Sequence, residues 1–267
     1  MEERVKVSIE DGVADVRLNR ADKMNALDAD MFTAIAETGA RLKRDKTLRA
    51  VVLSGKGRAF CAGLDVERMA AVADGGSLLP FEGLDRRTHG VANFVQHIVW
   101  LWRELPVPVI AAVHGIAVGG GFQLALGADL RYVAPGARLG IVEAKWGLVP
   151  DMAGTQLMRH LAREDVVREL TYTARIFSAE EAVAYGLATR LEVDPRAAAL
   201  ATAREIAALS PHAIRAAKRL LNQAVACDAE TRLTAETTEQ KALLGSANQI
   251  EAVRASLEKR LPNWVNP

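Results

Sequence analysis

The chain has 267 residues, half of them apolar, and its 34 basic and 33 acidic side chains leave a formal net charge of +1. A chain of this length can bury a substantial core, and its balanced charge gives no general attraction to nucleic acid or to an acidic membrane surface. Cys61 and Cys227 are the only cysteines in the sequence, which argues against a disulfide framework or a zinc cluster and is typical of a reducing compartment.

The N-terminal part of the chain carries the signals of a hairpin followed by a helix. Apolar residues alternate over 5–9, a tight turn suits Asp11-Gly12, and a second alternating run follows, so a β-hairpin is predicted. Either Asp28 or Asp30 can cap the helix that comes next, which is predicted to end near residue 43.

A succession of strand, loop and helix then recurs along the chain. The run 49–53 is predicted to be a strand, and a helical stripe of apolar residues over 91–102 precedes a second strand at 109–113. This alternation favours an α/β fold. Beyond Pro195 the pattern becomes helical only, so we place a soft boundary there, between an α/β core, 1–195, and a helical region, 196–267.

Three other segments give information on a predicted loop and on the location of the protein in the cell. Segment 74–84 breaks the alternation and is predicted to be a mobile loop, one that can cover a site. The charged N-terminus, 1–4, lacks the apolar core of a signal peptide, and the most apolar stretch, 105–121, contains two prolines and four glycines. We therefore predict a cytoplasmic protein that has neither a membrane span nor a nucleic acid partner.

Two glycine-bearing segments, 60–65 and 119–121, each follow an apolar strand-like run. Small residues let a ligand approach the main chain, and the triple glycine opens a helix whose first amides lack internal partners and carry the positive end of the helix dipole. The triple glycine can also be a simple strand-to-helix turn. However, Gly63 lies between apolar Ala62 and Leu64, where an ordinary turn is more often polar. Together the segments predict an oxyanion hole, which would polarise a carbonyl toward an enolate.

Several motifs occur in the order and spacing of one known family. They are Asn19-Arg20 with Asn25-Ala26-Leu27, Ala62-Gly63-Leu64-Asp65, His114-Gly115 with Gly119-Gly120-Gly121, Glu143 with Gly147, Pro150 and Gly154-Thr155-Gln156, Ser178-Ala179-Glu180-Glu181-Ala182, and Tyr185-Gly186-Leu187. In these motifs the chain resembles the crotonase superfamily, also called the enoyl-CoA hydratase/isomerase family. The resemblance runs from about Val5 to the C-terminus.

The resemblance implies a spiral of ββα units whose helical tail packs on neighbouring subunits of a homotrimer or a dimer of trimers. It also implies an acyl-CoA thioester as substrate, with coenzyme A as part of the substrate and neither a separate cofactor nor a metal. The peptide N–H groups of Leu64 and Gly120 are assigned to the oxyanion hole. The residues assigned to substrate binding are Met24, Ala26, Ala62, Gly63, Asp65, Gly121 and Gln123.

The catalytic acids depart from the pattern of the family's hydratases, which use two glutamates. The first of these positions is Gln123, whose amide cannot act as a general base near neutral pH. The second is Glu143, and eight residues later Asp151 stands where hydratases generally have glycine. Dienoyl-CoA isomerases of the family carry a glutamate and an aspartate at these two positions. The resemblance therefore implies that Glu143 and Asp151 are catalytic.

Structural alternatives exist for each of these side chains. Glu143 can be a solvated charge paired with Lys145, Asp151 can cap a helix that begins near Thr155, and Gln123 can be only a polar wall of the site.

The function also has alternatives. The residues slightly favour double-bond isomerisation, while hydration of a trans-2-enoyl-CoA by Glu143 alone is the second hypothesis. A non-catalytic acyl-CoA-binding protein is a hypothesis from another class. We set aside Cys61 as a nucleophile, because no histidine is arranged by sequence to activate it.

Overall fold

The structure is a computed structural model that describes residues 3–65, 70, 84–223 and 227–267. The described part has a mixed α/β architecture, which confirms the fold class expected from the alternating pattern. The predicted loop 74–84 lies outside the described residues except for its last residue. Within the described ranges, no helix has both the length and the apolar character needed to cross a bilayer.

Strands of the described residues form a larger and a smaller sheet. The strands are β1 Val5–Glu10, β2 Val13–Leu18, β3 Ala50–Gly55, β4 Val109–Val113, β5 Ile116–Val118, β6 Leu130–Val133, β7 Arg138–Gly140, β8 Ile176–Ser178 and β9 Arg190–Leu191. The larger sheet has the order β1-β2-β3-β4-β6-β9, and the smaller one has the order β5-β7-β8. Strands β1 and β2 pair antiparallel across the turn at Asp11-Gly12, so the predicted hairpin is confirmed. The other neighbours in the larger sheet are parallel.

Helices connect and cover these strands. They are α1 Ala29–Arg44, α2 Phe94–Glu104, α3 Gly120–Leu126, α4 Gly154–Met158, α5 Glu164–Thr173, α6 Ala179–Ala184, α7 Pro195–Ala207, α8 Pro211–Gln223, α9 Ala229–Leu243 and α10 Ala247–Glu258. Of the two predicted caps of α1, Asp28 is the one used, because its side chain accepts a hydrogen bond from Met31 N at 2.8 Å. Asn93 and Gln96 form a capping box at the start of α2. Each such cap contributes about 1 kcal/mol to helix stability.

The larger sheet is covered on both faces. On one face, Phe32 of α1, Trp102 of α2 and Phe122 of α3 lie in the main hydrophobic core. On the other, Ala199 and Ala203 of α7 pack in a second core with residues of β2, β3, β4 and β6. The first helix of the predicted helical region therefore shares a core with the sheet, and the domain boundary at residue 195 stays a prediction.

Helix α8 is fixed to the core by buried polar contacts. Lys218 is 6% exposed, and its ammonium donates to the carbonyl oxygens of Trp102 at 3.1 Å and Val107 at 2.8 Å and to the carboxylate of Asp129 at 2.8 Å. Asn222 donates to the carbonyl of Arg103 at 2.8 Å. The end of α2 is therefore held by side chains of α8.

The last part of the helical region exposes apolar surface. Helix α9 has no buried residue in the isolated chain, and a helix of this length is only marginally stable in water without a packing partner. Several leucines of the helical region are also exposed. The exposed leucines of the region are Leu209, Leu221, Leu233, Leu244, Leu257 and Leu261. Exposed apolar surface of this extent marks an interaction site, and we expect a second copy of the chain to cover it.

We predict that sedimentation at micromolar concentration will give a trimer or a dimer of trimers. Replacing Leu257 and Leu261, which are 79% and 86% exposed, by aspartate should shift the chain toward the monomer, because charges would be buried in the interface. Val193→Asp is the matched control, since Val193 is 91% exposed but precedes the helical region. A monomeric unsubstituted chain would contradict the prediction.

Candidate active site

The two glycine-bearing segments lie side by side as a short parallel pairing. Cys61 pairs with Ala117 of β5, with Cys61 N donating to Ile116 O at 3.0 Å and Val118 N donating to Cys61 O at 3.3 Å. Glycine is required for this approach, because a Cβ on Gly121 would overlap the carbonyl of Cys61. The structure thus brings together two segments that are more than fifty residues apart in the chain.

Two backbone N–H groups lie at this junction. Among the described residues, neither Leu64 N nor Gly120 N donates a hydrogen bond to the protein. Gly63 and Gly119 have φ values of +84° and +53°, which favour glycine. A Cβ on Gly63 would lie 3.5 Å from Gly120 N, so the two segments are in contact where the free amides lie. This arrangement suits an oxyanion hole, and the assignment of Leu64 and Gly120 to that role stays a prediction.

A third segment supports the first glycine-bearing segment. Met24 and Asn25 have left-handed backbones, with φ values of 51° and 55°, and Met24 O accepts a hydrogen bond from Ala62 N at 3.0 Å. The buried amide of Asn25 donates to the carbonyls of Lys56 at 2.9 Å and Ala59 at 2.8 Å. Asn25 was not among the predicted site residues, although it lies within a recognised motif. Its side chain joins the segment of Met24 to the loop that contains Lys56 and Ala59.

The predicted substrate-binding residues of these loops differ in what they contact. Ala26 is buried, whereas Met24 and Ala62 are partly exposed. Asp65 is buried and forms an ion pair with Arg20, which also donates to Ala26 O at 3.2 Å. These contacts give Asp65 a part in holding the loop. Its assignment to substrate binding stays a prediction.

Glu143 is a buried carboxylate beside the free amides. It is 8% exposed, and its Oε1 lies 3.7 Å from the position of a Cβ on Gly119. Oε1 accepts a hydrogen bond from Gln123 Nε2 at 2.6 Å, while Oε2 is buried without a hydrogen-bond partner among the described residues. Burial raises the pKa of Glu143, the bond from Gln123 opposes that rise, and the charge of Asp151 adds to it.

Asp151 lies on the loop between Glu143 and α4. It is solvent-accessible in the isolated chain, yet the surrounding protein desolvates its carboxyl and raises its pKa. It lines a cavity of about 220 Å³ whose walls come from α2, α4 and the loops next to them. Other residues of the cavity are Val91, Ala92, Gln96, Trp100, Pro150 and Thr155. The pKa values of both carboxyls are raised, and the charge of Asp151 acts on Glu143.

The structural alternatives for the two acids receive no support from the contacts. The N-cap residue of α4 is Ala153, without a side-chain cap, so Asp151 does not cap this helix. The partner of Glu143 is Gln123, and no ion pair joins Glu143 to Lys145 within the described ranges. Burial also raises the pKa of the Cys61 thiol to about 12, so this cysteine is not an activated nucleophile.

One further residue of the site gave no signal in the sequence. The Sδ atom of Met152 would lie 2.8 Å from a Cβ on Gly120, so the thioether packs against the Cα side of this glycine. Methionine is flexible and tolerates rearrangement, which suits a side chain next to a binding position. Only the fold places it there, because Met152 is separated from Gly120 by a strand pair and a loop.

Comparison with known proteins identifies the family. A family model described as enoyl-CoA hydratase/isomerase matches residues 8–267. The chain belongs to this family. It is 32% identical to 1,2-epoxyphenylacetyl-CoA isomerase of Escherichia coli K12, over 99% of each chain. It is also 32% identical to mitochondrial methylglutaconyl-CoA hydratase of Mus musculus, over 95% of this chain and 79% of that protein.

The structural comparison gives the same answer for the fold. A crystal structure of an enoyl-CoA hydratase from Bacillus anthracis matches with a TM-score of 0.87 and 30% identity, over 98% of each chain. The crotonase-type fold implied by the motifs is thus confirmed. The relatives of this family member are enzymes that include both isomerases and hydratases, so family membership alone leaves the reaction open.

We predict that Gly120→Val abolishes turnover of acyl-CoA thioesters. The new Cβ would lie 2.8 Å from Met152 Sδ and 3.1 Å from Leu27 Cδ1, so the branched side chain would occupy the space beside the free amides. Loss of an oxyanion donor costs about 10²- to 10³-fold in kcat. Gly136→Asn is the control, because nothing lies within 4 Å of that turn glycine and asparagine tolerates its φ of +77°. Full activity in a folded Gly120→Val protein would contradict the oxyanion assignment.

Proposed function

We propose that the chain isomerises a double bond in an unsaturated acyl-CoA thioester. The observation that carries the proposal is the buried carboxyl of Glu143 beside the N–H groups of Leu64 and Gly120, with the charge of Asp151 acting on it. Gln123 stands in place of the first hydratase glutamate. An isomerase needs one group to remove a proton and one to return it, and two carboxyls in different environments can divide these roles.

The proposed reaction has two proton transfers around an enolate. Ionised Asp151 removes a proton from the carbon next to the thioester, and the electrons of the broken C–H bond pass into the carbonyl to form a dienolate. The N–H groups of Leu64 and Gly120 stabilise the enolate oxygen. Protonated Glu143 then delivers a proton further along the chain, and the double bond has moved. Coenzyme A enters as part of the substrate, and no separate cofactor takes part in this scheme.

Hydration of a trans-2-enoyl-CoA is the second candidate. It is supported by the hydratase among the relatives and by the unpartnered Oε2 of Glu143, which can act on a water. In this reaction Glu143 works alone, because Gln123 cannot take a proton near neutral pH. The two reactions differ in product mass, since hydration adds one water and isomerisation adds none.

The test is a panel of 2-enoyl-, 3-enoyl- and 3,5-dienoyl-CoA thioesters, each followed by product mass and by uptake of solvent deuterium. In H2O we expect products of unchanged mass, and in D2O we expect products that carry deuterium from the solvent. A product heavier by one water, formed from the 2-enoyl thioester as the fastest reaction of the panel, would establish hydration and contradict the isomerase proposal.

We predict that Asp151→Asn lowers kcat by about 10²- to 10⁴-fold, the range for a general acid or base, with acyl-CoA affinity nearly unchanged. Glu143→Gln should cause a loss of similar size. Asp165→Asn is the matched control, because Asp165 is exposed at the start of α5. If Asp151→Asn keeps full activity on every thioester while Glu143→Gln does not, the site is a one-acid centre of the hydratase kind.

The raised pKa of Asp151 also predicts a pH dependence. Asp151 must be ionised to accept a proton, so the rate should fall as the pH drops through its pKa. Because desolvation raises that pKa above the usual value of 3.8, the acidic limb of kcat/KM should lie above pH 3.8. The check is a pH profile in the unsubstituted chain and in Asp151→Asn. A limb that persists unchanged in Asp151→Asn belongs to another group.

A further inference from the structure

Most of the donor and acceptor positions of the Gln123 side chain are used in hydrogen bonds to the protein. It is 1% exposed, in the first turns of α3. Its Oε1 accepts from Met152 N at 2.8 Å and from Gly154 N at 3.0 Å, while its Nε2 donates to Glu143 Oε1 at 2.6 Å. Both acceptor positions of the amide oxygen are therefore used by the main chain.

We propose that Gln123 is a positioning residue that joins Glu143 and the loop of Asp151 into one rigid unit, leaving Oε2 of Glu143 as the atom available for proton transfer. The inference rests on the proposed use of both carboxyls. It differs from the expectation that Gln123 binds substrate, because its contacts join it to the protein.

The contacts with the main chain fix the loop that carries Asp151. Ala153, between the two donors, has a left-handed backbone with φ of 65°, a conformation that costs a residue with a Cβ about 1–2 kcal/mol. Two hydrogen bonds to one buried oxygen can offset that cost. Gly154 also fits this contact, since a Cβ there would lie 2.6 Å from Gln123 Oε1. The position of Asp151, next to Met152, is set by the same contacts.

The contact with Glu143 requires a donor. A glutamine supplies an oxygen that accepts from two N–H groups and an N–H group that donates to a carboxylate. A glutamate at position 123 would place a second carboxyl about 2.6 Å from Glu143, and two carboxyls that close share one proton near neutral pH. A methionine would fill the space without either contact.

Methionine and glutamate at position 123 change the two contacts differently, so both contacts can be tested in the full-length oligomer. In Gln123→Met both contacts are lost. Loss of the donor raises the pKa of Glu143. The alkaline limb of the pH profile, where Glu143 loses the proton that it must deliver, should therefore move up by about one pH unit. Loss of the acceptor should speed amide hydrogen exchange in the peptide containing Met152 and Gly154 at least tenfold. Gln240→Met, which makes the same change on α9, a helix that contributes no residue to the site described above, should alter neither property.

Gln123→Glu tests each contact separately and also covers the case in which Gln123→Met fails to fold. Its oxygen still accepts from the two N–H groups, so exchange at Met152 and Gly154 should stay slow. Because one proton is then shared with Glu143, the upper pKa of the pair should rise further than in Gln123→Met.

The two outcomes are independent of the reaction catalysed. Hydrogen exchange needs no substrate, and the pH limb can be followed with whichever thioester is turned over, so hydration instead of isomerisation would leave this inference standing. A folded Gln123→Met protein with an unchanged pH limb and unchanged exchange would overturn it, since Gln123 would then only fill space. An unchanged limb in Gln123→Glu would also overturn it.

Discussion

The site depends on the close approach of two main-chain segments, 60–65 and 116–121. Their short parallel pairing uses the backbone groups of Cys61, and the absence of a side chain at Gly121 lets the carbonyl of Cys61 come into contact. Once this pairing has formed, the N–H groups of Leu64 and Gly120 have no acceptor among the described residues. Leu64 and Gly120 are partly exposed, so these N–H groups are available to an acceptor from outside the chain.

Burial of Glu143 favours the protonated form of its carboxyl. A desolvated carboxylate is costly, and one hydrogen bond from Gln123 offsets only part of that cost, so the balance between the charged and the neutral form moves toward neutral. The pKa of Glu143 is therefore raised above the usual value of a glutamate. Asp151 faces a cavity at the edge of the site, so the two acids differ in access to solvent as well as in neighbours.

Much of this arrangement could be predicted from the sequence, because its signals are local. The hairpin, the cap at Asp28 and both glycine segments depend on residues adjacent in the chain. The contacts of Gln123 with Met152 N and Gly154 N could not, because they require a left-handed Ala153 that no sequence rule indicates. Likewise, the hydrophobic periodicity of α7 does not distinguish it from the helices that follow. The sequence therefore does not show that α7 packs on the sheet.

The helical region contacts α2, and α2 borders the cavity beside Asp151. Lys218 and Asn222 of α8 donate hydrogen bonds to the carbonyls of Trp102 and Arg103 at the end of α2. Helix α2 also carries Trp100, which lies in the wall of the Asp151 cavity. The ammonium of Lys218 is buried, so breaking its contacts leaves a charge that cannot reach water. The position of α2 is thereby tied to the docking of α8. The wall of the cavity beside Asp151 therefore depends on how α8 packs against α2.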